Sequence, residues 1–593
     1  MFPKKLLWAA AASVVLTGCI DDKYDLSNID TTSEFKVNDL TLPINLAPVV
    51  LSDIIKVEEG DQLKDTTING KTFYAVVQKG KFNSDGIDID KFEAEPDPMY
   101  DKTATFRPKG GEAQSKRRAD TGIDIYYLIE PVTEDLEYEA SGIDGSIKAL
   151  TAINFQPLSL KLEISTTSLP AGVESQLENL VLYIPTGLTI DHISAGGDTY
   201  PVTVYDPSDG SLDLATVKLN DNKATIQIVA TAIDLKGYDH PYNYDEEMGE
   251  GTFALISQFN IQDSQLALSG SIDQLASIKE INYNVHYELE PLYATSIMGS
   301  IAYDLSGTGL DIDPIDLENL PDFLDDPETD LTLSNPQIYL QLMNPIGKYG
   351  LSYQSSLDII AERSNQHTSF ESPLVKVPGH EGTFNYVLAP NTGSSSLNIP
   401  KEYEANLEAL VYPNLGSILS GEGLPKQLLI DIIDPMIPEQ PTKAPFELDQ
   451  SIEGMEGNYL FLAPLSLKEG SKIVKTVDGW WSEDLNDLNI DYLTISADAI
   501  NGLSTGVILT VYAIDRDRKK ISSEGSVVLE ESSASQPIDI TIEGIDGKPF
   551  NGLDGIQLYV IAGENEGQPL APDQTITLNE LKAKVTGNYT RKL

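Results

Sequence analysis

The chain of 593 residues has a single cysteine, Cys19, close to its N-terminus. With no second thiol there is no intramolecular disulfide, and stability must come from burial and backbone hydrogen bonding. Size permits this, since length alone suggests about four domains, each able to bury a core. Bases are also scarce, with 40 Lys and Arg against 92 Asp and Glu and a net charge of −52. That balance argues against nucleic acid as a partner and against docking on anionic lipid headgroups. Histidine is nearly as rare. His192, His240, His286, His367 and His380 form no close pair and no His-Glu-x-x-His, which argues against a zinc hydrolase. His286 shares the polar side of its segment with Asn282, Asn284 and Glu288 and reads as solvent-facing. Gly-x-Gly-x-x-Gly and P-loop patterns are missing. Helical patterning is limited to short candidates at Val173 to Leu182, Tyr403 to Leu410 and Gln427 to Ile433. Beyond the N-terminus, no apolar run is long enough to span a membrane.

What the N-terminus does have is an address. Lys4 and Lys5 precede an apolar stretch from Leu6 to Leu16, too short for a transmembrane helix and of the length of a signal peptide, assigned here to residues 1–18. It ends in Leu16-Thr17-Gly18-Cys19, which resembles the lipobox of bacterial lipoproteins. The resemblance implies lipidation of Cys19, which would become the first residue of the mature chain. Residues 19–38 read as an acidic tether. Asp21, Asp22 and Asp25 soon after the cysteine resemble the surface-export signal of Bacteroidota lipoproteins. The run from Tyr24 to Thr32 is similar to the opening of large surface lipoproteins of that phylum. This implies outer-membrane lipid anchoring with display at the cell surface. Asp30-Thr31-Thr32 and Asp65-Thr66-Thr67 resemble the phylum's O-glycosylation triplet, which makes Thr31 and Thr66 candidate acceptors.

The dominant period along the body is two. Leu158 to Ser165 and Ile281 to Leu289 alternate without a fault, and Ile338, Leu340 and Leu342 alternate with Gln337, Tyr339 and Gln341. Such runs are strands with one buried face. From Thr575 to Val585 the phase slips at Asn579-Glu580, which predicts a β-bulge that keeps both halves on one face. Asn69-Gly70 between two strand-like runs predicts a hairpin. Many short strands with scattered turn residues predict an all-β fold of tandem Ig-like β-sandwich domains with a few short helices. Composition places the domains at 39–290 (one sandwich or two), 291–445 and 446–593. Residues Glu95 to Gly122 lack an apolar period and read as a long exposed loop carrying Lys116-Arg117-Arg118.

Candidate chemistry is sparse. Gly502-Leu503-Ser504-Thr505-Gly506 matches a hydrolase elbow, but a strand rather than a helix follows and no histidine lies after His380, so it reads as a hairpin turn. Acid pairs suited to a glycoside hydrolase cannot be singled out among 92 acids. The acid-rich stretches Asp322 to Asp330 and Asp484 to Asp491 read as solvated turns, with Asp484, Asn486 and Asp487 as candidate Ca²⁺ ligands and no other cofactor implied. Trp480 and Trp481, beside those acids, are candidates for stacking on a sugar ring, as are Tyr242 and Tyr244. The sequence therefore suggests a non-enzymatic, lipid-anchored surface protein that binds or scaffolds, with a polysaccharide or other envelope proteins as partners. The alternative is a structural subunit similar to fimbrillins, which polymerise by strand exchange after proteolysis. Glycoside hydrolysis is a third reading.

Overall fold

A computed structural model describes residues 32–592 except 45–47, 56, 58–60, 97–99, 109–113, 118–122, 263, 279–280, 309–311, 319, 321–330, 364–365, 420–424, 468–471, 480, 482–484, 486, 504 and 563–567. The fold is all-β. Among the described residues α-helix is limited to Leu51–Ile54, Ile272–Ala276, Pro413–Ile418 and the single position Leu485. No helix among them is long and apolar enough to cross a membrane. The three expected helices are not helical. Residues 173–182 hold the strands Glu174–Glu178 and Val181–Tyr183. Residues 403–410 hold the end of a 3₁₀ turn and the start of strand Leu407–Val411. Gln427 to Ile433 opens the long strand Gln427–Pro441. A short apolar run such as Leu428 to Ile433 suits either state, and pairing with Tyr353–Arg363 decides it.

The chain forms two compact units that interleave in sequence, whereas composition suggested consecutive blocks. One comprises Met1–Glu58, Pro321–Thr332 and Leu465–Leu593; the other comprises Glu59–Leu320 and Leu333–Pro464.

In the first unit one sheet runs in the order Thr32–Pro43, Thr575–Lys592, Leu488–Asn501, Ser532–Glu543. A second sheet has the order Lys472–Asp478, Gly555–Ala562, Val507–Ile514, Gly525–Leu529. The predicted bulge is present. Ser496 pairs with Lys582 but Asp498 pairs with Asn579, and Glu580 takes φ +51°. The extra residue keeps Ile576 and Leu578 on the same buried face as Leu581, Ala583 and Val585. Gly502 to Gly506 is not a hairpin. It carries the chain from the first sheet into the second, and Asn501 Nδ2 closes it by donating to the Thr505 carbonyl at 2.7 Å.

The second unit is built on the 20-residue strand Ile147–Thr166, which pairs along its length with Lys223–Asp234, Ile281–Leu289 and Leu292–Asp304. The expected 95–122 loop is largely strand, at Glu93–Pro96, Tyr100–Pro108 and Gln114–Arg117, so Lys116 and Arg117 lie in a strand. Its missing apolar period has a direct cause. Asp101, Thr103 and Thr105 face His286, Asn284 and Asn282 across the pair. They are joined by side-chain hydrogen bonds of 2.9, 3.2 and 3.0 Å. On its other face the partner strand is apolar at Tyr283 and Val285, but Tyr100–Pro108 sets Ala104 and Lys102 opposite them, so its hydrophobic alternation is broken.

A separate sheet of this unit contains, in order, Leu63–Ile68, Lys71–Asn83, Glu456–Leu467, Gln337–Met343, Thr383–Ala389 and Leu407–Val411. Its first two strands meet at Asn69-Gly70, where φ values of +51° and +79° fit the tight hairpin turn those residues favour. Part of one face is apolar: Phe73, Ala75, Leu460, Leu462, Tyr339 and Val387 make a core. The segment 391–406 covers it, with Leu397, Ile399 and Tyr403 packed down. Amide side chains hold this cover. Asn69 Nδ2 donates to the Ile399 carbonyl, Asn335 Nδ2 to Ser396, and Asn385 Nδ2 to Ala405, at 2.6–2.7 Å.

Candidate functional site

Where the cover ends, the same sheet face turns polar. Lys81, Asn458, Gln341 and Asn385 stand directly opposite one another across four neighbouring strands. Opposed residues of antiparallel strands share a face with Cβ atoms about 5 Å apart, so their side chains form a row. Asn458 Nδ2 donates to Gln341 Oε1 at 3.2 Å. Gln341 Nε2 donates to Asn385 Oδ1 and to the Glu402 carbonyl, each at 3.2 Å. Gln341 thus has both its amide hydrogens and its carbonyl engaged, and the row is held in place.

The 3₁₀ turn Lys401–Tyr403 brings Glu402 over the row, where Lys79 Nζ donates to its Oε1 at 2.8 Å. That hydrogen bond is the main cause holding the Glu402 carboxyl below its ordinary range. The side chains of Lys79 and Glu402 are 61% and 49% exposed, so the pair positions more than it stabilises. Together Lys79, Lys81, Gln341, Glu402 and Asn458, with the backbone at Gly80, line an open groove of about 330 Å³. Gly80 is required there. A Cβ would meet the Tyr459 ring at 2.2 Å, and that tyrosine reaches across to donate to the Asp313 carbonyl at 3.2 Å. Tyr403 closes one end; burial, with the Glu402 charge adding, pushes its phenol up to about 12. A groove of this size with convergent amides and charges can orient a polar ligand. Three further cavities, of about 30, 10 and 10 Å³, lie among core side chains and hold a water at most.

Of the residues singled out in the sequence, those that are described lie elsewhere. Cys19, Thr31, Trp480, Asp484 and Asn486 fall outside the described residues, as do Asp322 to Asp330. Trp481 is 7% exposed, with its ring laid over Gly479 where a Cβ would meet it at 2.4 Å. Tyr242 and Tyr244 share one face of strand Tyr242–Asp245. The Tyr242 ring covers Gly251 and its hydroxyl donates to the Ile147 carbonyl at 2.6 Å, while the Tyr244 ring carries Lys148 Nζ at 3.6 Å from its centre. Asp487 is exposed at a turn, and its carboxylate accepts from the Tyr589 hydroxyl at 3.5 Å. Thr66 is half-buried in strand Leu63–Ile68, opposite Phe73. His286, read as solvent-facing, is a cross-strand partner of Asp101 with 29% of its side chain exposed. None of the described ones lines the groove. The groove residues were visible singly, as the polar phase of alternating strands, but nothing local in the sequence joins residue 81 to 341 and 458.

No protein-family model matches the chain, and no curated protein does. Among solved structures it is similar to a protein of Parabacteroides distasonis provisionally described as secreted, with 15% identity, a TM-score of 0.31, and cover of 48% of this chain and 88% of that one. A second, the arabinofuranosyltransferase AftD from Mycobacteria, gives 9% identity and a TM-score of 0.08, covering 84% of this chain and 36% of that one. At those scores the likenesses say nothing of activity.

Proposed function

We propose that the chain is a lipid-anchored envelope protein that binds and does not convert its ligand, and that the ligand is a glycan. The observation that carries this reading is the fixed amide row of Asn458, Gln341 and Asn385, of which Asn458 and Gln341 line an open groove of about 330 Å³ while Asn385 anchors the row from its buried end. Gln341 holds Asn458, whose Oδ1 is left to accept from a sugar hydroxyl without first losing side-chain freedom, which is the condition for useful affinity in a polar site. The lipid on Cys19 would fix the chain at the outer membrane and the tether would give it reach. A glycan array probed with the full chain tests this. Binding that is lost in Asn458→Ala, with the near-ultraviolet dichroism unchanged, supports the groove. Binding lost in Trp480→Ala but kept in Asn458→Ala moves the site to the tryptophan. A folded chain that binds no glycan overturns the reading.

One observation favours a structural subunit as second reading. Strand Thr32–Pro43 lies at a sheet edge, pairs among the described residues only with Thr575–Lys592, and buries only Leu42 of its described side chains. A strand held so lightly is exchangeable between copies. Multimers that resist SDS and disappear when residues 32–43 are deleted would support that role.

A further inference from the structure

We propose that the groove selects an anionic sugar, one whose ring bears a carboxylate or sulfate, and that Lys81 reads that charge. The inference rests on the glycan reading above and adds the ligand class.

Lys79 and Lys81 stand two apart on one strand and so project from the same face. In a chain with 92 acids and 40 bases, two lysines against one acid on a groove wall invert the prevailing sign. Glu402 pairs with Lys79, which leaves the charge of Lys81 over. Among the described residues Lys81 makes no ion pair or side-chain hydrogen bond, and it is exposed, so it contributes nothing visible to the core. The nearest acid in register is Glu456, which pairs with Asn83 one step further along the sheet and does not ion-pair with Lys81. A lysine kept beside another lysine costs repulsion that a neutral residue would avoid.

The neighbour of Lys81 completes the argument. Asn458 lies directly opposite it and gives its amide hydrogen to Gln341, which leaves its Oδ1 directed to no protein group among the described residues. A cationic donor and an open acceptor therefore sit about 5 Å apart at their Cβ atoms. A hydroxyl and an anionic group on neighbouring positions of a sugar ring present the complementary pair: the hydroxyl donates to Asn458, and the anion accepts from Lys81. A neutral sugar leaves the ammonium with water alone.

The test is titration of the full chain with three soluble oligosaccharides: an oligogalacturonate, which carries carboxylate and no sulfate, a carrageenan fragment, which carries sulfate and no carboxylate, and a neutral xylan fragment. We expect one or both acidic probes to bind and the neutral one to bind about tenfold or more weakly. Comparison of the two acidic probes tells carboxylate from sulfate. Binding should weaken as salt rises from about 50 to about 300 mM. Lys81→Met should cost about tenfold or more, Lys81→Arg should retain most of the affinity, and Lys236→Met, the loss of an equal charge at a distant exposed site, should change nothing. Equal binding of neutral and acidic probes, or acidic binding unaffected by Lys81→Met, overturns the inference and leaves the glycan reading standing. A folded chain that binds none of the three and no member of the glycan array overturns both.

Discussion

Gln337 has no exposed surface and four hydrogen bonds. Its Oε1 accepts from the Tyr339 hydroxyl at 2.7 Å and from Asn398 N–H at 3.0 Å; its Nε2 donates to the carbonyls of Asn335 and Ser396 at 3.2 and 3.3 Å. This one side chain joins the sheet to the segment that carries Glu402 and Tyr403. Gln337→Leu would fill the space but strand buried donors, a loss of about 2–4 kcal/mol. We expect a lower unfolding midpoint in urea and faster tryptic cleavage after the exposed Lys401; an unchanged midpoint would show that the cover is held by its apolar contacts instead. Glu402→Gln is the contrasting case. It removes an ion pair that is half in solvent, worth less than about 1 kcal/mol, so the same midpoint should hardly move.

At the scale of the element, the bulge at Asn579-Glu580 decides which side chains of the last strand reach the core. Glu580 adopts φ +51°, a conformation that costs a side chain but not glycine. Glu580→Gly should therefore hold the melting temperature or raise it, by the equivalent of about 0.5–1 kcal/mol. Deleting residue 580 is the sharp test. The strand would then place either Ile576 and Leu578 or Leu581, Ala583 and Val585 in solvent. Strand Thr32–Pro43, which pairs with Pro43↔Lys582 to Thr32↔Lys592, would lose its register with them. Rapid proteolysis of residues 32–43 is the expected readout, and protection equal to the parent chain would count against the register argument. This bulge was legible in the sequence because it is a local fault in a local period, and so was the Asn69-Gly70 turn. The all-β class was legible for the same reason. Leu428 to Ile433 was not, since six apolar or acidic residues suit helix and strand alike until a partner strand is present. The groove was least legible of all. Its row needs Lys81, Gln341 and Asn458 to meet through two long-range pairings, and the aromatic residues that stood out instead are engaged in local packing where they are described.

Over the whole molecule, tyrosine does part of what disulfides would do. The chain has 27 tyrosines and one cysteine. Buried tyrosine hydroxyls donate to backbone carbonyls far away in sequence, Tyr283 to Glu130 at 2.7 Å, Tyr138 to Glu290 at 3.2 Å and Tyr459 to Asp313 at 3.2 Å, and over a shorter span Tyr386 donates to Lys376 at 2.7 Å. Each tie needs the phenol neutral, because a phenolate has no proton to give and faces a carbonyl oxygen. Burial pushes Tyr205, Tyr386 and Tyr403 up to about 12, and Tyr138 and Tyr283 well above the usual phenol value. The sign follows from linkage. These groups are raised in the folded chain, so their contribution is complete below the unfolded value near 10 and is lost as pH rises towards the folded one. Each loses about 1.4 kcal/mol per pH step in that window, and several such losses exceed the stability of an ordinary domain. The expected result is cooperative unfolding above about pH 10, with phenolate absorbance rising in the same step as the strand dichroism is lost. Tyr283→Phe should destabilise the chain at pH 7, by the loss of one buried hydrogen bond of about 1 kcal/mol, yet narrow its deficit relative to the parent as pH rises. Reductant should alter neither curve, since no disulfide contributes. A smooth phenolate titration near pH 10 with the fold intact would mean that water reaches these hydroxyls, and the ties would then carry little of the stability that the missing cysteines leave to burial.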